Sequence, residues 1–92
     1  MATRDDDTVR AALAGLGGWE RSGDTIRREL VFDGFLDAIA FITRIAPLAE
    51  EADHHPELTN VYNSVTIVLT THDEGGVTLK DIDLARAIDA VV

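Results

Sequence analysis

Residues 64–71 constrain the fold most. Val65, Ile67 and Leu69 alternate with Thr66, Val68 and Thr70. Only an extended chain puts such a period of two on opposite faces, so this stretch predicts a strand with one buried side. It cannot stand alone, and Glu57 to Val61 just before it supplies a partner across Tyr62-Asn63. If those two residues centre the turn, Val61 faces Ser64 and Glu57 faces Val68. Continued further, the same register sets His54 near Thr71 and Asp53 near His72.

An earlier hairpin is expected from Trp19 to Arg21 and Thr25 to Phe32, flanking the turn Ser22-Gly23-Asp24. In its second strand Ile26, Arg28, Leu30 and Phe32 share a face, while Arg27 and Glu29 point the other way. Between the hairpins Asp33 offers an N-cap, and Phe35, Ile39, Ile42, Ala46 and Ala49 mark the buried stripe of a long helix. Pro47 is expected to kink or restart that helix, which ends near Asp53. A first helix spans residues 6–15, with Val9, Ala12, Leu13 and Leu16 at helical spacing and Asp5 to Asp7 at its start. Gly15, Gly17 and Gly18 end it. After Gly75-Gly76, Thr78-Leu79-Lys80-Asp81 has the form of a capping box and opens a last helix, with Ile82, Ala85, Ile88 and Val92 inward. The order is helix, two strands, helix, two strands, helix. It predicts an α+β fold, a single four-stranded antiparallel sheet with three helices packed on one face.

The chain of 92 residues is expected to form one domain. At this size about 60–65% of the unfolded surface is buried, so association would add useful burial. The net charge of −9 argues against nucleic acid and against an anionic membrane surface. With a polar N-terminus and no long apolar run, the expected location is the cytoplasm. No cysteine is present, so thiolate and disulfide chemistry are excluded.

All three histidines fall in one segment: His54, His55 and His72. Imidazole is the side chain best suited to proton exchange near neutrality. Pro56 disfavours helix at His55, so the pair sits just past the long helix. The expected hairpin brings His72 to the same open end. Three histidines could instead hold zinc, but adjacent ligands stiffened by Pro56 fit a tetrahedral site poorly. No cofactor and no metal are expected.

Glu50, His54-His55-Pro56-Glu57, Asn60-Val61-Tyr62-Asn63, Thr71-His72-Asp73 and Asp81 together resemble the pterin-4a-carbinolamine dehydratases. The resemblance runs from Trp19 to Ile88. Two residues depart from the family pattern: Leu58, where many members carry Trp, and Pro47 within the helix. The resemblance implies an α+β fold, a pterin substrate, and homodimers or homotetramers. It implies dehydration of 4a-hydroxytetrahydropterin to quinonoid dihydropterin and water, with His54, His55 and His72 catalytic. Glu50, Asp53, Pro56, Thr71, Asp73, Glu74 and Asp81 match the rest of the family's site. Within it, His54 and His72 are expected to move protons and His55 to orient the pterin. Asp81 could orient an imidazole, and Glu50 could hold His54 at i,i+4. Some members bind transcription factors or assist enzyme assembly, so a non-catalytic binding module is the alternative.

Overall fold

A computed structural model describes residues 6–92. Its elements are α1 (Asp6–Ala14), β1 (Glu20–Ser22), β2 (Thr25–Val31), α2 (Phe35–Ala52), β3 (Glu57–Val61), β4 (Ser64–Leu69) and α3 (Leu79–Asp89), with a short 3-10 turn at His72–Glu74. The four strands form one antiparallel sheet in the order β1-β2-β4-β3. This is the expected α+β architecture. The proposed N-terminal charge at Asp5 lies outside the described residues.

The second hairpin has the register read from its alternation: Val61 pairs with Ser64 and Glu57 with Val68. Tyr62 adopts a left-handed φ of 51° to close it. Val65, Ile67 and Leu69 are buried on one face, continuous with Ile26 across the β2–β4 ladder. The other face carries Arg27 opposite Val68, and Glu29, Thr66 and Thr59 side by side across the strands. In the first hairpin Ser22 pairs directly with Thr25, so the turn is Gly23-Asp24 alone. Arg28 is on the inward face because it meets Asp89 of α3 at 2.5 Å, and Trp19 Nε1 donates to the same carboxylate at 2.9 Å. Gly18, at φ +91°, makes room: a Cβ there would lie 3.0 Å from the Arg28 guanidinium.

Four expectations about the helices are corrected. The buried stripe of α2 is Ala38, Phe41, Ile45 and Ala49, whereas Phe35, Ile39 and Ala46 are exposed and Ile42 is half-buried. Phe41 is drawn inward by Phe32, whose ring centroid lies 5.1 Å away, and that contact sets the rotation of the helix. The N-cap is Gly34, not Asp33. The helix also continues through Pro47 without restarting. Pro47 and Thr43, whose carbonyl loses its partner, are both exposed, so water can satisfy the freed group. In α3, Ile82, Ala85 and Ile88 are buried as expected, but Val92 lies beyond the helix and is exposed. No helix of the described residues is long and apolar enough to cross a membrane.

Candidate active site

The end of α2 presents His54. Asp53 takes a left-handed conformation, φ 50°. The His54 amide then donates to Ala49 O at 3.1 Å and the Asp53 amide to Glu50 O at 3.1 Å. This pair of reversed hydrogen bonds is a Schellman closure, and it fixes where the chain leaves the helix. Aspartate tolerates this backbone region better than most residues.

His72 is delivered by a different device. Beyond Leu69 the ladder stops, and Thr71 bridges to Gly76 through amide–carbonyl bonds of 3.0 and 3.3 Å. The bridge encloses the tight turn His72–Glu74, which ends at Gly75 with φ 72°. The Gly75 amide donates to His72 O at 3.0 Å. A left-handed glycine at that point lets so short a loop close.

The three histidines come together in one cleft of about 280 Å³, lined also by Asp53, Thr70, Thr71, Asp73 and Lys80. A second cleft of about 300 Å³ shares His55, Thr70 and His72 with it and adds Pro56, Glu57, Val68 and Thr25 from the open face of the sheet. A larger cavity of about 420 Å³ lies between α2 and α3, lined by Leu48, Ala52, Leu84 and Ala87 among others. It touches His54 but neither His55 nor His72. Proton-transfer chemistry therefore favours the smaller pair of clefts.

Each histidine has a different environment. His54 is only 12% exposed, and its Nε2 meets Asp81 Oδ1 at 2.5 Å. Asp81 is completely buried. Its Oδ2 accepts from Thr71 Oγ1 and from the Thr78 amide, each at 2.9 Å. With Oδ2 doubly occupied, Oδ1 is the oxygen left to accept a hydrogen bond from His54. The network thus assigns the hydrogen to Nε2 and leaves Nδ1 for another partner. The N-terminal end of α3 supplies favourable potential for this buried carboxylate. His55 is exposed, with Nε2 held by Glu50 Oε1 at 2.6 Å. His72 is exposed and makes no side-chain hydrogen bond among the described residues. One imidazole is fixed, one is loosely guided and one is free.

Glu50 therefore does not hold His54; it pairs with the next histidine, five residues away. At i,i+4 His54 would need the helix to continue, and the Schellman turn at Asp53 ends it first. Asp81 caps α3 and also holds His54. Asp53, Pro56, Thr71 and Asp73 line the clefts, whereas Glu50, Glu74 and Asp81 do not. Thr70 and Lys80 line the cleft and were not anticipated. Lys80 follows Thr78 by two residues at the start of α3, so the capping box itself was the signal that could have found it. Among the described residues, no group of three or more histidine, cysteine or acidic side chains has the arrangement to hold a metal ion.

The Glu50–His55 pair makes a specific prediction. Both side chains are mostly exposed, so Glu50→Ala is expected to lower the melting temperature by less than about 5 °C, the scale of a surface ion pair. Thermal unfolding followed by circular dichroism checks it. A large drop would mean that the pair anchors the loop.

The family profile for pterin 4 alpha carbinolamine dehydratase matches residues 2–91. A protein of Mycobacteroides abscessus is 52% identical over all of this chain and 98% of its own length. One from Thermomicrobium roseum is 51% identical, covering 96% of this chain and 95% of its own. Both carry provisional names as pterin-4-alpha-carbinolamine dehydratases. The crystal structure of a transcriptional coactivator/pterin dehydratase from Brucella melitensis superposes with a TM-score of 0.89 at 38% identity, over 99% of this chain and 98% of that one. A pterin dehydratase-like RuBisCO assembly factor of the alpha-carboxysome, 22% identical with a TM-score of 0.65, shares the fold. It covers 79% of this chain and 84% of its own. Profile, sequence relatives and superposition agree that the chain belongs to the pterin 4 alpha carbinolamine dehydratase family.

Proposed function

We propose that this protein dehydrates a 4a-hydroxytetrahydropterin to the quinonoid dihydropterin and water. The observation that carries the proposal is the convergence of three differently held histidines on adjoining clefts, one of them fixed by a buried carboxylate. The reaction needs two proton movements. The carbinolamine hydroxyl accepts a proton, its C–O bond breaks and water departs. The neighbouring ring nitrogen gives up its proton, and those electrons complete the C=N bond. One proton enters and one leaves, so the enzyme ends unchanged. General acid–base catalysis of this kind contributes about 10²–10⁴-fold.

His54 and His72 carry the proton transfers in this reading. His54 offers Nδ1 at a defined orientation because Asp81 occupies Nε2. His72, without a side-chain partner among the described residues, can form its bond to the substrate. His55 with Pro56 lies in the adjoining cleft, where it would orient the ring system. No metal or cofactor takes part. The decisive experiment measures dehydration of 4a-hydroxytetrahydropterin with and without the protein, in the presence of a chelator. We expect acceleration that the chelator leaves unchanged. A rate equal to buffer alone would sink the proposal, and loss of activity restored only by zinc would favour a metal site.

The protein works as a homodimer or homotetramer in this reading. Leu36 is 80% exposed and Val31 and Val61 are each 68% exposed, while Phe35 and Ile39 extend the apolar surface of α2. Val31 and Val61 flank Ser64 on the open face of the sheet. Such surface is costly in a monomer of this size. Light scattering at micromolar concentration is expected to give a mass at least twice the 10.0 kDa chain. A monomeric mass would count against it.

A further inference from the structure

We infer that Thr78, which lines none of the clefts described above, is a positioning residue: through Thr71 and Asp81 it determines which nitrogen His54 presents to the substrate. Thr78 is completely buried and begins α3 as its N-cap. Its hydroxyl oxygen accepts from the Lys80 amide at 3.2 Å and lies 2.8 Å from Thr71 Oγ1. A threonine hydroxyl has one proton to give. Thr71 spends its proton on Asp81 Oδ2. Thr78 must therefore donate to Thr71, and the direction of every link is settled. The chain runs from the Lys80 amide to the Thr78 hydroxyl, to the Thr71 hydroxyl, to Asp81 Oδ2.

Asp81 receives a second bond from the Thr78 backbone amide. Thr78 thus reaches the carboxylate twice, directly through its amide and indirectly through its hydroxyl. Both routes end on Oδ2, and together they reserve Oδ1 for His54 Nε2. Without the hydroxyl route, Thr71 Oγ1 loses the donor that orients it. It can then rotate away from Asp81, the carboxylate can turn, and the preference for a proton on Nε2 weakens. Successive donors in a buried chain polarise one another, so the far end of the chain matters to the near one. Lining the cleft is not required for this role.

The inference rests on the acid–base reading of the site, but its main readout does not depend on activity. Imidazole ¹⁵N signals of His54, recorded at alkaline pH, report which ring nitrogen carries hydrogen. In the unmodified protein we expect hydrogen on Nε2. Thr78→Val should move the signals toward a mixture of both tautomers and lower kcat by about 10-fold with little change in KM, the scale of one hydrogen bond to a charged group. Thr78→Ser, which keeps the hydroxyl, should restore both. Thr71→Val cuts the same chain while leaving the Thr78–Lys80 cap intact, and should give the same ¹⁵N change. It stands as the test if Thr78→Val does not fold. If the folded valine variants melt lower but keep the ¹⁵N signals of the unmodified protein, Thr78 is only a helix cap and the inference fails. If the ¹⁵N signals move while no dehydration is detectable in any form of the protein, the positioning stands and the proposed reaction falls.

Discussion

His54→Ala and His72→Ala are each expected to lower kcat by about 10-fold to 10³-fold, with the double variant barely worse than the poorer single. The argument starts from their unlike settings. His54 is nearly buried and tied to Asp81, so its ring cannot follow the substrate. His72 begins a tight turn and has no side-chain partner among the described residues. A fixed group and an adjustable one suit two coupled proton movements on one hydroxyl and its neighbouring nitrogen. If they act as a unit, loss of either removes most of what both provide. His55→Ala should act more on KM, because a contact made equally in ground and transition states leaves kcat alone. Stopped-flow dehydration kinetics on the single and double variants can decide. Full multiplicativity would mean independent roles, and near-normal kcat for both singles would remove them from the chemistry.

Much of this arrangement was legible in residue order because it is local. The second hairpin follows from alternation on either side of Tyr62-Asn63, which leaves little freedom of register where one face must be buried. Pro56 after the histidine pair, and Thr78 three residues before Asp81, are similarly local. The rotation of α2 was not legible. Between Phe35 and Ala49 the helix carries apolar residues nearly all the way round, so two stripes fit the helical period about equally well. The choice is made by Phe32 meeting Phe41, a contact between elements. That Asp81 orients an imidazole was expected, but that the imidazole is His54's escaped for the same reason. A carboxylate at i,i+4 is visible in the chain, whereas Asp81 lies 27 residues away and becomes a neighbour only when α3 docks beside the end of α2. Lys80 enters the cleft by that docking too.

Asp81 should be the most sensitive single position for stability and activity together, and two substitutions separate the effects. Asp81→Ala leaves three donors without their acceptor: the His54 ring, the Thr71 hydroxyl and the Thr78 amide. It also removes the negative charge at the start of α3 and empties space in a fully buried position. Unsatisfied buried donors are costly, and the combined loss should be about 3 kcal/mol. For a domain of this size that corresponds to a fall in melting temperature of about 15 °C. Asp81→Asn keeps the shape. Its carbonyl oxygen can still accept from Thr71 and Thr78, but its amide nitrogen then faces His54 as a donor. Nε2 must become an acceptor, and the ring proton moves to Nδ1, the nitrogen otherwise left for the substrate. Folding should therefore suffer much less than in Asp81→Ala, while kcat falls by about 10²-fold because the tautomer is wrong. Thermal unfolding and dehydration kinetics on the two variants test both halves. A folded Asp81→Asn protein with unimpaired kcat would show that the carboxylate serves the helix cap alone.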